Sequence, residues 1–200
     1  MNEKILERLE KQINFIREAD KEKFIGRQTY LTGAQRKEND AEHAWHLALM
    51  TILLSEYSNE EIDVLKTITM VLIHDLVEIY AGDTYAYDDE AQKTQKEREQ
   101  KAADKIFGIL PDDQKNKLRA VFEEFEAYET PESRFAHVLD NFQPMMLNDY
   151  TDGKAWREHE VRESQIMKRN EKTSSGSKVL WEYAKKMFIE KNIEKGNIIK

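Results

Sequence analysis

The chain has 200 residues, 40% hydrophobic and 35% charged, which is enough apolar mass for one ordinary domain. It contains no cysteine, which excludes a disulfide scaffold, thiol catalysis, zinc ribbons and thiolate-held clusters. A formal charge of −8 argues against binding a nucleic-acid polymer through its phosphates, yet allows a small phosphorylated ligand at a local basic site.

With three prolines and seven glycines, the chain has few of the interruptions an all-β fold needs, and apolar residues recur at helical spacing along most of it. Ile5, Leu9, Ile13 and Ile16 form one stripe on a first helix. A second helix is predicted over residues 40–57, with Leu47, Met50 and Leu54 on one side. Ser58 or Asn59 is the predicted cap of a third, which runs from Ile62 through Ile73 to about Ala81 and stops at Gly82. That helix is apolar on most faces and is read as the central one. Residues 88–105 are nearly all charge and amide, as in a solvated helix or a lid. Pro111 and Pro131 each open a further helix. Helices over residues 156–168 and 178–193 follow, separated by the loop TSSGS. No run approaches the roughly 18 apolar residues of a membrane span. The opening MNEKILERLEKQ is too charged for a secretory signal, so a cytoplasmic setting without membrane attachment is expected. The expected fold class is all-α: one domain over residues 1–200, with its motifs in 36–148 and a C-terminal helical extension over 155–200.

Chemistry concentrates around His74, which follows the apolar run TMVLI and directly precedes Asp75. A carboxylate in such a setting costs several kcal/mol unless it is paired or binds a metal. Glu78 adds an acid one turn after His74, and Asp83 another just beyond Gly82. A His–Asp ion pair is the plainer reading of the first two; an exposed helix acid and a Gly-Asp-Thr turn are the plainer readings of the others. The segment EHAWHLALM offers His43 and His46, and RFAHVLDNFQP offers His137 and Asp140.

The stretches RKENDAEHAWHLALM, LIHDLVEIYAGDT and RFAHVLDNFQPMMLN together resemble the HD-domain superfamily of metal-dependent phosphohydrolases. Within it they are most similar to the branch of bacterial 5′-deoxynucleotidases and related small HD-domain-containing proteins. The resemblance implies His43, His74, Asp75 and Asp140 as ligands of one divalent metal. Mixed nitrogen and oxygen ligation suits Mn²⁺, Co²⁺, Fe²⁺, Ni²⁺ or Zn²⁺. It implies Glu78 and Asp83 as the acids beside the metal, and Arg36, with Lys37 next to it, as contacts to a phosphate. His46 is read as a support for the ligands or a packing residue, and His137 as helix packing. Some members carry an upstream Arg-Trp pair that helps select deoxyribose; here Gln28 follows Arg27, which puts that preference in doubt.

The expected activity is removal of the 5′-phosphate from a nucleoside monophosphate. Triphosphate or phosphodiester hydrolysis, iron-dependent oxygenation, and a non-catalytic nucleotide sensor are the alternatives. Between His74 and Asp140 the only histidine is His137, which favours a one-metal site over the two-metal members. Similar proteins are often homodimers, and the same is expected here.

Overall fold

The computed structural model describes residues 2–82 and 89–200. Helix α1 (Glu3–Ala19) starts at Asn2, whose side chain accepts from the Lys4 N–H. Its predicted stripe stays outside the core, with Ile5 and Ile16 about 60% exposed (58% and 62%). Phe15, off the stripe, is the residue that packs inward, stacking on Phe107 at 6.5 Å between ring centroids.

The chain then departs from the helical reading. A 3₁₀ turn, Asp20–Phe24, leads to β1 (Gly26–Tyr30), which pairs antiparallel with β2 (Lys37–Asn39). This hairpin falls between the first two predicted helices, where no element is predicted from the sequence. Helix α2 (Asp40–Leu54) follows at once, started by a capping box. In it the Asn39 side chain accepts from the Glu42 N–H, and the Glu42 carboxylate accepts from the Asn39 N–H.

Helix α3 (Val64–Ile73) is capped by Asp63, not by Ser58 or Asn59. Asn59 instead donates to the Ser174 and Ser175 carbonyls, tying two distant segments together. Nor does the helix run on to Ala81. It ends at His74, tightens to a 3₁₀ turn over Asp75–Val77, and resumes as the single turn α4 (Glu78–Ala81). Such tightening inside a helical run commonly marks a functional position.

Helices α5 (Asp89–Phe107), α6 (Asp112–Ala127) and α7 (Pro131–Tyr150) agree closely with the predicted segments. The end of α5 is core: Ala102, Ala103, Ile106 and Phe107 pack with Ile73, Leu76, Val77 and Phe122. The central place goes to α7, which contacts α2, α3 and α6 and buries Phe135, Val138, Leu139, Phe142 and Met145. On α3, by contrast, Leu65 is 73% exposed.

The expected helix over residues 156–168 is two shorter ones, α8 (Lys154–Glu158) and α9 (Glu163–Arg169). The segment TSSGS holds a helical turn, α10 (Thr173–Gly176), packed on α7. Gly176 makes that approach possible: a Cβ there would sit 2.5 Å from the Arg134 carbonyl oxygen and 2.7 Å from a Val138 methyl. Helix α11 (Lys178–Ala184) continues through a π turn into α12 (Lys191–Glu194). Trp156, Trp181, Ile189 and Ile198 share one apolar cluster with Leu47 and Phe135, so this C-terminal region is built into the core. Among the described residues no helix is long and apolar enough to cross a membrane.

Candidate metal centre and cavity

Three helical segments bring His43, His74, Asp75 and Asp140 together. His43, one turn into α2, has no solvent exposure. Its Nε2 lies 3.0 Å from Asp140 Oδ1 on α7 and 4.0 Å from Asp75 Oδ2. His74 Nε2 lies 3.1 Å from Asp75 Oδ2 and 3.8 Å from Asp140 Oδ1. One donor atom from each of His43, His74 and Asp75 falls within 4.8 Å of the others, a span that suits a shared cation.

The hydrogen bonds behind the rings fix which nitrogen faces the cluster. Gln143 Nε2 donates to Glu38 Oε2 at 2.9 Å, which leaves Gln143 Oε1 as the acceptor facing His43 Nδ1 at 3.1 Å. His74 Nδ1 faces the Val71 carbonyl, also at 3.1 Å. A carbonyl only accepts, so both rings carry a proton on Nδ1 and turn Nε2 inward. His74 Nε2 is buried without a well-aligned hydrogen bond, although Asp75 is close. Two imidazole nitrogens and two carboxylates, converging in a buried site, form a donor set that fits a divalent transition metal.

The electrostatics of the two rings differ: His43 is held neutral, whereas His74 is held protonated and would give up its Nε2 proton to a metal. Burial and the nearby Arg27 push His43 down to about 4, so it is the neutral ring a metal requires. Burial also opposes charge on His74, but Asp75 and Asp140 prevail and raise its pKa well above the ordinary histidine value. Asp75 and Asp140 stay ionised despite burial, Asp75 chiefly through His74 and Arg27, Asp140 through His43 and His74.

Around this centre lies a shell of buried charge that the motifs do not announce. Arg27, on β1, places Nη1 2.8 Å from Asp75 Oδ2 and 3.3 Å from Asp40 Oδ1. Its Nε is 3.6 Å from Glu38 Oε1. Burial raises Glu38 to about 7 and Asp40 to about 8. Glu78 is buried beside them and shares a hydrogen bond with Asp40. Glu38 and Asp40 flank the cap residue Asn39, where alternation along an extended chain turns both inward. That alternation was the available signal for them. Gln143, one turn from Asp140 on α7, was findable from helical spacing. His46 Nδ1 lies 3.3 Å from Gln143 Nε2, outside the donor cluster. His137 donates to the Phe125 carbonyl and stacks on the Phe125 ring.

A cavity of about 600 Å3 opens onto the centre, lined by His74, Asp75, Glu78 and Asp140. Gln28 lines it too. Arg36 and Lys37 do not. Arg36 is paired with Glu42 on the surface, and Lys37 donates to Gln28. Asp83 lies outside the described residues.

A family model described as an HD domain matches residues 19–181, most of the chain and all four clustered residues. The chain belongs to the HD-domain family. A solved structure, a predicted metal-dependent phosphohydrolase from Magnetospirillum magnetotacticum, is 42% identical. It aligns with a TM-score of 0.91 over 96% of both chains. A conserved hypothetical protein from Pyrococcus furiosus aligns at 26% identity and a TM-score of 0.59, over 82% of this chain and 97% of its own. Among curated proteins, the human 5′-deoxynucleotidase HDDC2 is 25% identical over 119 residues, 59% of this chain and 57% of the relative. The Schizosaccharomyces pombe 5′-deoxynucleotidase hdd1 is 24% identical over 116 residues, 56% of this chain and 57% of its own. The match therefore spans less than two thirds of these curated relatives. In this HD domain the consecutive His74–Asp75 pair sits at the break between α3 and α4, with its partners supplied by α2 and α7.

Proposed function

We propose that the chain is a metal-dependent phosphohydrolase that removes the 5′-phosphate from nucleoside monophosphates. The carrying observation is the convergence of two inward-facing Nε2 atoms and two carboxylates beside a cavity large enough for a small ligand. The relatives named as phosphohydrolase and 5′-deoxynucleotidases support the same reading.

His43, His74, Asp75 and Asp140 would hold one divalent transition ion. Such an ion, when bound, lowers the pKa of water and polarises a phosphoryl oxygen. The chain's own residues do the rest. Glu78, on the cavity wall, takes the proton from the attacking water at its carboxylate. Water oxygen bonds to phosphorus, the P–O5′ bond breaks, and O5′ leaves as a hydroxyl when Glu78 passes that proton to it, giving nucleoside and inorganic phosphate. Asp83 is assigned a second acidic role, orienting the water or holding the sugar. Arg27 neutralises and positions Asp75 and Asp40. Arg36 and Lys37 have no part in this reading: Arg36 is paired with Glu42 on the surface, and Lys37 is bonded to Gln28 without itself lining the cavity. Gln28 lines the cavity where some similar proteins have tryptophan, and the reading assigns no preference between ribose and deoxyribose.

The chain is also proposed to act as a homodimer. Trp45, Ile52 and Leu53 stand on one outward face of α2, each about 60% exposed (63%, 58% and 61%), and a second copy would cover them. Leu53→Glu should then shift the sedimentation of the chain from dimer to monomer.

The functional test is phosphate release by Mn²⁺- or Co²⁺-loaded protein from nucleoside 5′-monophosphates, nucleoside triphosphates and cyclic dinucleotides. Monophosphates should be the faster substrates and chelation should abolish turnover. A clear preference for triphosphates, or undiminished activity in chelator, contradicts the proposal.

A further inference from the structure

The two oxygens of Asp140 have different neighbours. Oδ1 faces His43 and His74, whereas Oδ2 lies 3.7 Å from Arg169 Nη2 at the end of α9. That separation is an ion pair too long to be a hydrogen bond, so the guanidinium is drawn to the centre without being locked there. Arg169 lines the cavity, with its side chain 39% exposed, and so does Lys172 three residues on. Lys172 Nζ sits 5.4 Å from the Tyr128 ring centre. Tyr128 closes α6 with φ +59°, a left-handed conformation that a bulky side chain adopts only when its surroundings impose it.

A phosphate monoester entering this cavity meets Asp75, Asp140, Glu78 and Glu126 on its walls, in a chain of net charge −8. It therefore needs a cation from the protein as well as the metal. Arg27 is the deepest candidate, but Asp75, Asp40 and Glu38 surround it. Basic residues in the last turn of α9 have a general reason to be there, since they complement the helix dipole. That reason does not bring Arg169 against a carboxylate on α7.

We propose that Arg169, assisted by Lys172, is the phosphate clamp of this site. The planar guanidinium takes two phosphoryl oxygens as a fork, next to Asp140, and Lys172 adds a point charge at the cavity wall. The substrate named here rests on the phosphohydrolase reading; the anion site rests on the geometry alone.

The test uses metal-loaded wild type, Arg169→Gln, Arg169→Lys and Lys172→Gln. Each is titrated calorimetrically with inorganic phosphate, assayed on nucleoside monophosphates, and analysed for bound metal. Arg169→Gln should weaken phosphate binding about 10- to 100-fold and raise KM in step, with metal content unchanged. Lys172→Gln should weaken it by about 2- to 5-fold. Arg169→Lys should recover part of the loss, and it carries the test if Arg169→Gln fails to fold. If wild type binds phosphate in an Arg169-dependent way but hydrolyses no monophosphate, the functional reading fails and the clamp stands. If the wild type binds no phosphate, or if both Arg169 variants bind it as tightly as wild type, the clamp is overturned. Loss of metal in the Arg169 variants also overturns it, because Arg169 would then act by positioning Asp140.

Discussion

At the residue scale, the proposed ligand and the proposed catalyst occupy different places. His74 turns Nε2 to the donor cluster, while Glu78 lines the cavity and shares its hydrogen bond with Asp40. His74→Ala should therefore lose metal and activity together. Glu78→Gln should keep the metal, and its single-turnover rate should fall about 10²–10⁴-fold if Glu78 moves the proton. Retention of near-wild-type turnover would remove Glu78 from the mechanism. A subtler variant probes the shell behind the ligands. Gln143 is fully buried and bridges His43 to Glu38, so Gln143→Met keeps its bulk and removes both bonds. Metal affinity, measured by competition with a chelating dye, should drop about 10- to 100-fold. The sequence names the four clustered residues because imidazoles and carboxylates at motif spacing are few and distinctive. Glu38, Asp40 and Gln143 carry only the weaker signals of alternation past Asn39 and of the turn after Asp140, and Arg169, on a separate helix, has no motif spacing to mark it. Arg36 and Lys37 look close to His43 along the chain, but the hairpin directs them to other partners.

At the scale of elements, helices were legible and their interruptions were not. The apolar spacing from Val64 to Ala81 is unbroken, so nothing in it signals the 3₁₀ turn at Asp75–Val77 that separates α3 from α4. The hairpin escapes for a related reason. Neither GRQTY nor KEN shows the apolar alternation by which strands are recognised; their inward residues are Thr29 and Glu38. The capping box at Asn39–Glu42 and the proline at the start of α7 carry standard local chemistry, and those starts match the predicted segments. The α10–α7 contact gives the element-scale prediction. Gly176→Ala forces a Cβ against the Arg134 backbone, which cannot swing away as a side chain would. Denaturant unfolding should show a loss of about 1–3 kcal/mol, with metal content unchanged in the folded protein. A neutral effect would mean that α10 does not pack as described.

At the scale of the molecule, the centre lies where two apolar clusters meet. Val71 belongs to one, Ile73 and Leu76 to the other, and the His74–Asp75 pair falls between them. A rigid surround of this kind holds several acids away from water, and this has a consequence for pH. Burial raises Glu22, Glu38 and Glu126 to about 7 and Asp40 to about 8. In the folded chain these groups keep protons that the unfolded chain has released, so their contribution to stability is lost as pH rises through about 7–8. His74, whose pKa is raised, loses its contribution in the same direction. His43 and His137, both pushed to about 4, act oppositely, but only below the unfolded histidine value of roughly 6.5. Chelated protein should therefore melt at progressively lower temperature from about pH 6.5 to pH 8, and bound metal should flatten the trend by stabilising the ionised carboxylates. A flat or rising profile in chelator would contradict the burial of these acids.

On the proposed reading, four side chains from α2, the α3–α4 junction and α7 share one ion. Elemental analysis after dialysis against Mn²⁺ or Co²⁺, on wild type and on folded His43→Ala and Asp140→Asn, tests it most directly. The predicted result is about one tightly held ion per wild-type chain and a large loss in both variants. A wild type that retains no metal, or variants that retain all of it, would contradict it.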